Sequence, residues 1–235
     1  MTDALLEAGL APEPLDLPGH GGFAGESDPE DFTLDATLSG IAAARRGLGP
    51  IVGYSMGGRI ALHLAARSPE TVTHLVLESA SPGLATPGER AERRAADEAL
   101  ARRIVSGGVS AFVDEWEALA LFASQQELPA AAWEALRHRR LSNDARSLAE
   151  SLRGIGTGAL PSLWDRLPYI AVPTLIVVGE LDEKFRAIGE EMVKALPRAD
   201  LSVVAGAGHA VHVERPRAWC EAVTSFLRGG GAPPA

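Results

Sequence analysis

Residues 51–70 read IVGYSMGGRIALHLAARSPE. Ile51-Val52 is a short apolar run of strand type, and an amphipathic helical pattern over 57–67 follows, stopped before Pro69. Between them lies Gly53-Tyr54-Ser55-Met56-Gly57, a Gly-x-Ser-x-Gly turn. A strand that turns sharply into a helix around a serine is the arrangement of a nucleophile elbow. Gly53 and Gly57 are expected where a β-carbon would clash. Ser55 then sits at the helix N-terminus, and both the Met56 N–H and the helix dipole point at any negative charge that forms there. A purely structural turn would use the same glycines, so the serine has to be judged by its partners.

A serine hydroxyl needs a base, and the base needs an orienting acid. With this elbow the acid and the base follow later in the chain. Asp182 lies in VVGELDEKF, just past the end of an apolar run, and His209 lies in VVAGAGHAVHVERP, in the loop after the next one. Glu180 and Glu183 compete for the role of acid. Among the histidines, His212 lies three residues past His209, on the following turn. His63 and His74 belong to a helix and a strand and read as packed or solvated, and His20 reads as shaping its loop.

The rest of the chain alternates. Residues 4–9 end a helix closed by Gly9, and Pro14–Leu17 reads as a short strand entering a Pro/Gly loop. Leu34, Leu38, Ile41 and Ala42 predict a helix over 33–46. THLVLES and VPTLIVVGELD predict buried strands, ADLSVV a further strand, and Ile188, Met192, Val193 and Leu196 a helix. Trp219, Val223, Phe226 and Leu227 mark the last helix, and the tail GGGAPPA reads as disordered. Alternating strands and helices give an α/β fold with a doubly wound, mostly parallel sheet. Residues 87–153 break the alternation with helices alone, interrupted at Gly107-Gly108, Pro129 and Ser142-Asn143. The expected organisation is a first core segment over 1–83, a helical lid over 84–165 and a second core segment over 166–228. The lid would cover the C-terminal ends of the strands, where such sheets bind ligands.

Composition narrows the function classes. At 235 residues and 46% hydrophobic, the chain can bury one large core or a core plus an insert. A net charge of −9 argues against a non-specific nucleic-acid binder. No run approaches the ~18 apolar residues of a membrane span. MTDALLEAGLAPEP has no basic n-region and reads as no signal peptide. The single cysteine, Cys220, cannot form an internal disulfide, which fits a cytoplasmic protein. Arginine occurs 20 times and lysine twice, a bias that fits a GC-rich genome and also fits planar recognition of carboxylates.

DLPGHG, GYSMGGRIAL, GELDEKF and AGHAVHVERP resemble the α/β-hydrolase superfamily. SPGLATPGERAERRAADEALA, FVDEWEALALFAS and RRLSNDARSLAESLRGIGTGALPSLWDRL narrow the likeness, over about residues 5–228, to the 2-succinyl-6-hydroxy-2,4-cyclohexadiene-1-carboxylate synthases of menaquinone biosynthesis. The resemblance implies a carbon–oxygen lyase that eliminates pyruvate from a small tricarboxylate and needs no cofactor or metal. Ser55 would act as a base, polarised by His209, with Asp182 holding the imidazole tautomer. Arg59, Arg93 and Arg140 would clamp carboxylates, and Tyr54, Met56 and Trp116 would line the site. Arg59 lies one helical turn from Ser55. Arg93 has Arg90 and Arg94 beside it, Arg140 has Arg137 and Arg139, and Trp116 has Phe112 one turn earlier, so each could also be ordinary surface or core.

The family's initial strands, with a His-Gly motif that gives a second oxyanion N–H, have no counterpart here. The expectation is a gap in the sheet between the strand ending at Leu17 and the strand ending at Gly53, from a misplaced start or an inactive fragment. A serine carboxylester hydrolase, which would need the triad but not the arginines, and a non-catalytic fold relative are the alternative readings.

Overall fold

The apolar runs around Ile51, Leu75, Ile176 and Val203 each become a strand in the computed structural model, which describes residues 2–23, 28–45 and 47–229. These strands are β1 (Gly49–Tyr54), β2 (Val72–Glu78), β3 (Thr174–Gly179) and β4 (Ala199–Val204). They form one parallel sheet in the order β1-β2-β3-β4. Val52 pairs with Val76, Val76 with Leu175, and Leu77 with Ile176. Alternate residues face opposite sides of a strand. One side of the sheet therefore shows Val52, Val76, Leu175 and Val177. These pack with Leu5, Trp219, Val223 and Phe226 from α1 (Thr2–Glu7) and α9 (Pro216–Leu227).

The other parity set, Leu75, Leu77, Ile176 and Val178, is also buried. On that side lie α3 (Met56–Arg67), packed on β1 and β2, and α7 (Glu183–Ala195), whose Gly189 faces Ile176, Val178 and Leu201. Helices on both faces explain why the strands read as continuous apolar runs rather than as alternation. Each large side chain so buried contributes roughly 1.5–3 kcal/mol. The doubly wound parallel sheet is as expected from the sequence.

Two expectations need correction. Pro14–Leu17 is not a strand. The Asp16 carboxylate accepts the Gly22 N–H at 2.9 Å, so the segment folds back on itself, and Pro12, Pro14 and Pro18 supply no ladder donors. The sheet of the described residues also has no internal gap: β1 lies at its edge and pairs directly with β2.

The strands, α1, α3, α7 and α9 belong to one compact unit, Met1–Pro14, Arg46–Pro82 and Leu163–Ala235; a second comprises Leu15–Arg45 and Gly83–Ser162. The second unit contains no strand among its described residues. Its helices are α2 (Leu34–Ala44), α4 (Pro87–Glu117), α5 (Ala130–Leu141) and α6 (Ala145–Ile155). Local chemistry sets their ends. Thr86 and Glu89 form a capping box with Pro87 in the first turn of α4. Thr33 caps α2 through the Ala36 N–H, and Asp144 caps α6 through the Ser147 N–H. Gly108, at φ 79° and ψ 169°, interrupts α4 at the expected break.

The sequence boundaries placed 15–45 with the first core segment, but these residues group with 83–162. The reason is close packing: a β-carbon on Gly154 of α6 would sit 2.0 Å from the Phe32 carbonyl oxygen. The tail expected to be disordered lies, from residue 230 on, outside the described residues.

Candidate active site

Ser55 joins β1 to α3 at φ 49° and ψ −108°, a conformation that a residue with a β-carbon rarely adopts. Its N–H donates to the Glu78 carbonyl at 2.8 Å, which ties the elbow to the end of β2. A β-carbon at Gly53 would lie 2.5 Å from the Gly57 carbonyl oxygen, as the turn requires. The second tight position is not the Gly57 of the motif, which meets nothing within 4 Å. It is Gly58, where a β-carbon would lie 2.5 Å from the Ala80 Cβ. Residue 58 faces the strand ends, whereas residue 57 faces away from them. Met56 is the first residue of α3, so its N–H has no acceptor within the helix.

Asp182 and His209 come from the segments that follow β3 and β4. Asp182 follows β3, caps α7 and accepts the Phe185 N–H on Oδ1 at 3.2 Å. Its Oδ2 lies 2.6 Å from His209 Nδ1, and both residues are buried. With Nδ1 facing a carboxylate, the proton sits on Nδ1, and Nε2 is left to accept from the Ser55 hydroxyl at 3.1 Å. Phe185 and Tyr54 hold the imidazole from two sides, with ring centroids at 4.6 and 5.4 Å.

The competing candidates have other tasks. Glu180 accepts the Gly206 N–H at 2.8 Å, and Glu183 opens α7. His212 Nδ1 donates to Glu78 Oε1 at 2.8 Å, and its ring packs against Tyr54 at 4.9 Å. His74 packs on Phe226, and His20 Nδ1 lies 3.1 Å from the Pro18 carbonyl oxygen. His63 is enclosed in α3, and burial, followed by the Arg67 and Arg59 charges, pushes its imidazole down to about 4. It is therefore neutral at pH 7. Burial also raises the Cys220 thiol, which stays protonated.

Arg59 is buried on α3, and its N–H donates to the Ser55 carbonyl oxygen at 3.0 Å. Tyr54 and Met56 flank Ser55, whereas Arg93, Trp116 and Arg140 belong to the second unit and have partners within it. Arg93 Nε donates to Asp97 at 2.7 Å. Trp116 packs between Phe112 and Phe122 at 5.5 and 5.3 Å. Arg140 donates to Glu117 at 2.9 Å and to Gln125 at 2.8 Å, with its guanidinium near the Phe122 and Trp133 rings. Arg137 shares Glu117 and also binds Asp114.

Sequence reasoning missed Glu78 and Glu214. Glu214 Oε2 accepts the Gly208 N–H at 2.6 Å and Oε1 accepts the Ala210 N–H at 3.1 Å. The signal was present in HAVHVERP: a carboxylate just before the last helix, close in sequence to His209. Among the described residues, no cluster of His, Cys, Asp and Glu is arranged to hold a metal ion, and no helix is long and apolar enough to cross a membrane.

Comparison with known proteins identifies the family and the fold. The profile of the alpha/beta hydrolase family matches residues 3–223. A Bacillus subtilis (strain 168) protein provisionally named 2-succinyl-6-hydroxy-2,4-cyclohexadiene-1-carboxylate synthase is 50% identical over 177 residues, 75% of this chain. The chain spans 65% of the length of that relative. The synthase of that name from Salmonella paratyphi C (strain RKS4594) is 34% identical over 218 residues, covering 91% of this chain and 82% of its own. The solved structure of MenH from S. aureus superposes with a TM-score of 0.85 at 36% identity, over 92% of this chain and 82% of its own.

Proposed function

The chain belongs to the α/β-hydrolase family and, within it, to the 2-succinyl-6-hydroxy-2,4-cyclohexadiene-1-carboxylate synthases, and from that premise we propose that it is the carbon–oxygen lyase that forms this product in menaquinone biosynthesis. The substrate is 2-succinyl-5-enolpyruvyl-6-hydroxy-3-cyclohexene-1-carboxylate, and the second product is pyruvate. The observation that carries the reading is the Ser55–His209–Asp182 chain of hydrogen bonds, at 3.1 and 2.6 Å, in a member of this family.

Ser55 Oγ takes a ring C–H proton while passing its own proton to His209 Nε2. The electron pair of the C–H bond moves toward the neighbouring carbonyl, and the Met56 N–H with the α3 dipole stabilises the oxyanion. As the ring double bond forms, the C–O bond to the enolpyruvyl group breaks. The C–H electron pair ends in the new ring double bond, and the leaving group departs with the electron pair of the broken C–O bond as the enolate of pyruvate and is protonated to pyruvate, with the proton held on the Ser55–His209 pair. Atoms balance without water, so no ester is cleaved. Asp182 keeps the imidazole in the tautomer that leaves Nε2 free to accept.

Three carboxylates on the substrate call for cations. We assign Arg59 to one and, on the same reading, Arg93 and Arg140 to the others, with Tyr54 and Trp116 lining the site. The region 84–165 serves as the lid in this proposal.

The test is Ser55→Ala, with pyruvate release followed through lactate dehydrogenase. The variant should fold normally and lose about a thousandfold or more in rate. Near-normal turnover would remove Ser55 from the mechanism. Turnover of an aryl ester without pyruvate release would assign the same triad to a carboxylester hydrolase.

A further inference from the structure

The segment that carries His209 is held in an unusual way. Along residues 206–212, every second backbone N–H donates to a glutamate carboxylate. Gly206 donates to Glu180 at 2.8 Å, Gly208 to Glu214 at 2.6 Å, Ala210 to Glu214 at 3.1 Å, and His212 to Glu78 at 3.1 Å. Glu214 differs from the other two glutamates in position. Its two oxygens take the N–H groups of the residues on either side of His209, so one carboxylate ties down the 207–208 and 209–210 peptide planes that bracket the catalytic position. Glu214 is buried, and Arg215 Nη1 donates back to the Glu214 carbonyl oxygen at 2.8 Å.

We propose that Glu214 is a positioning residue for His209: its carboxylate clamps the backbone on both sides of the imidazole, so the ring can exchange a proton with Ser55 while its own backbone stays fixed. The proposal rests on the triad reading above. The side-chain contacts of His209, to Asp182, Phe185 and Tyr54, set the ring plane but leave the position of its Cα to the loop. That loop follows β4 and contains Gly206 and Gly208; its Ala207 carbonyl oxygen accepts the Leu181 N–H at 2.9 Å, and the clamp adds the contacts at the two residues that flank His209. A simple helix cap would explain only the Ala210 N–H, which lies at the start of α8 (Val211–Glu214). The Gly208 N–H lies outside that helix, on the other side of His209. A proton-transfer pair is sensitive to such placement, since an error near 1 Å can cost about a hundredfold in rate.

The discriminating variant is Glu214→Gln. It keeps the shape but turns one acceptor into an NH2 group facing an N–H, so only half of the clamp survives. Glu180→Gln is the control, because it loosens an exposed contact further along the same segment. Three readouts apply to the full chain: kcat and KM for pyruvate release, the rate at which a fluorophosphonate probe labels Ser55, and the low-field proton resonance of the His209 Nδ1–H. The expected result for Glu214→Gln is a roughly 10- to 100-fold loss in both kcat and labelling rate, with KM unchanged and the resonance shifted or broadened. Glu180→Gln should stay near the parent protein. If Glu214→Gln is insoluble, Glu214→Asp replaces it, since the shorter side chain cannot reach both N–H groups, and it should lose labelling in the same direction. Labelling at the parent rate with an unmoved resonance in the soluble variant overturns the proposal. So does a labelling loss in Glu180→Gln as large as that in Glu214→Gln. If the parent labels at Ser55 but releases no pyruvate, the synthase reading fails while the labelling still judges the clamp.

Discussion

His63 makes the fold acid-sensitive in a defined window. It lies within α3, eight residues after Ser55, at 1% exposure, and its imidazole is held down to about 4 from an ordinary value of 6.5. Burial is the main cause, and the Arg67 and Arg59 charges add to it. The folded value lies below the unfolded one, so between them the unfolded chain binds the extra proton and stability falls as pH falls. The loss begins as pH drops through 6.5 and is complete below about 4, where both states are protonated. At about 1.36 kcal/mol per pK unit, that interval corresponds to roughly 3 kcal/mol, a large share of the ~5–15 kcal/mol that stabilises a typical domain. The perturbation is His63→Leu, which removes the titrating group and keeps an apolar side chain at a buried site. Urea unfolding, followed by tryptophan fluorescence at a series of values between about pH 7 and pH 4, gives the stability of each protein. The parent should lose about 3 kcal/mol more than His63→Leu across that range, and the difference should stop growing below it. Parallel curves for the two proteins would refute the argument that α3 encloses a neutral imidazole. Because α3 begins at the elbow, the parent's activity should fall with its folded fraction and recover on return to neutral pH.

Other outcomes follow from the same geometry. Gly58→Ala should cost about 1–3 kcal/mol from overpacking against Ala80, while Gly57→Ala should fold like the parent; equal thermal shifts for the two would contradict the packing at the elbow. Arg59→Ala should lose at least ~2 kcal/mol in kcat/KM, whereas Arg90→Ala, which gives up contacts with the Leu84 and Ala85 carbonyl oxygens and the attraction of its charge to Glu89, should lose little; equal losses would sink the assignment of individual arginines. The hydrogen bonds from Arg153 and then Arg102 hold the Glu98 carboxyl down to about 2. Glu98→Gln should therefore remove acid sensitivity only between about pH 4.5 and about pH 2, mostly below the window set by His63, as checked by extending the unfolding series down to that range.

The sequence was most legible where the signal is local. The interruptions at Gly107-Gly108, Pro129 and Ser142-Asn143 are matters of backbone conformation within a few residues: Gly108 bends α4, Pro129 precedes the start of α5 and Ser142 follows its end. Ser55, Asp182 and His209 were legible because an elbow fixes where its partners must fall in chain order. Pro14–Leu17 was misread because a strand exists only through its neighbour, and its pattern says nothing about whether a neighbour is there. Gly57 was weighted over Gly58 because the motif records spacing, while the clash depends on Ala80, which is more than twenty residues away in sequence. Glu78 and Glu214 escaped for a related reason. A carboxylate reads as a charge in sequence, and only the fold shows that it is an acceptor for particular backbone N–H groups.

Ser55 keeps its φ of 49° in a turn where glycine would rest without strain. Such a conformation costs on the order of 1–3 kcal/mol, so Ser55→Gly should yield a sturdier but inert protein. A search for heat-resistant variants that scores survival alone would therefore tend to discard the serine early. If Ser55 is the base of the proposed mechanism, turnover and the preference of the backbone pull this turn in opposite directions, and any thermostable library built on this fold needs an activity screen at every round.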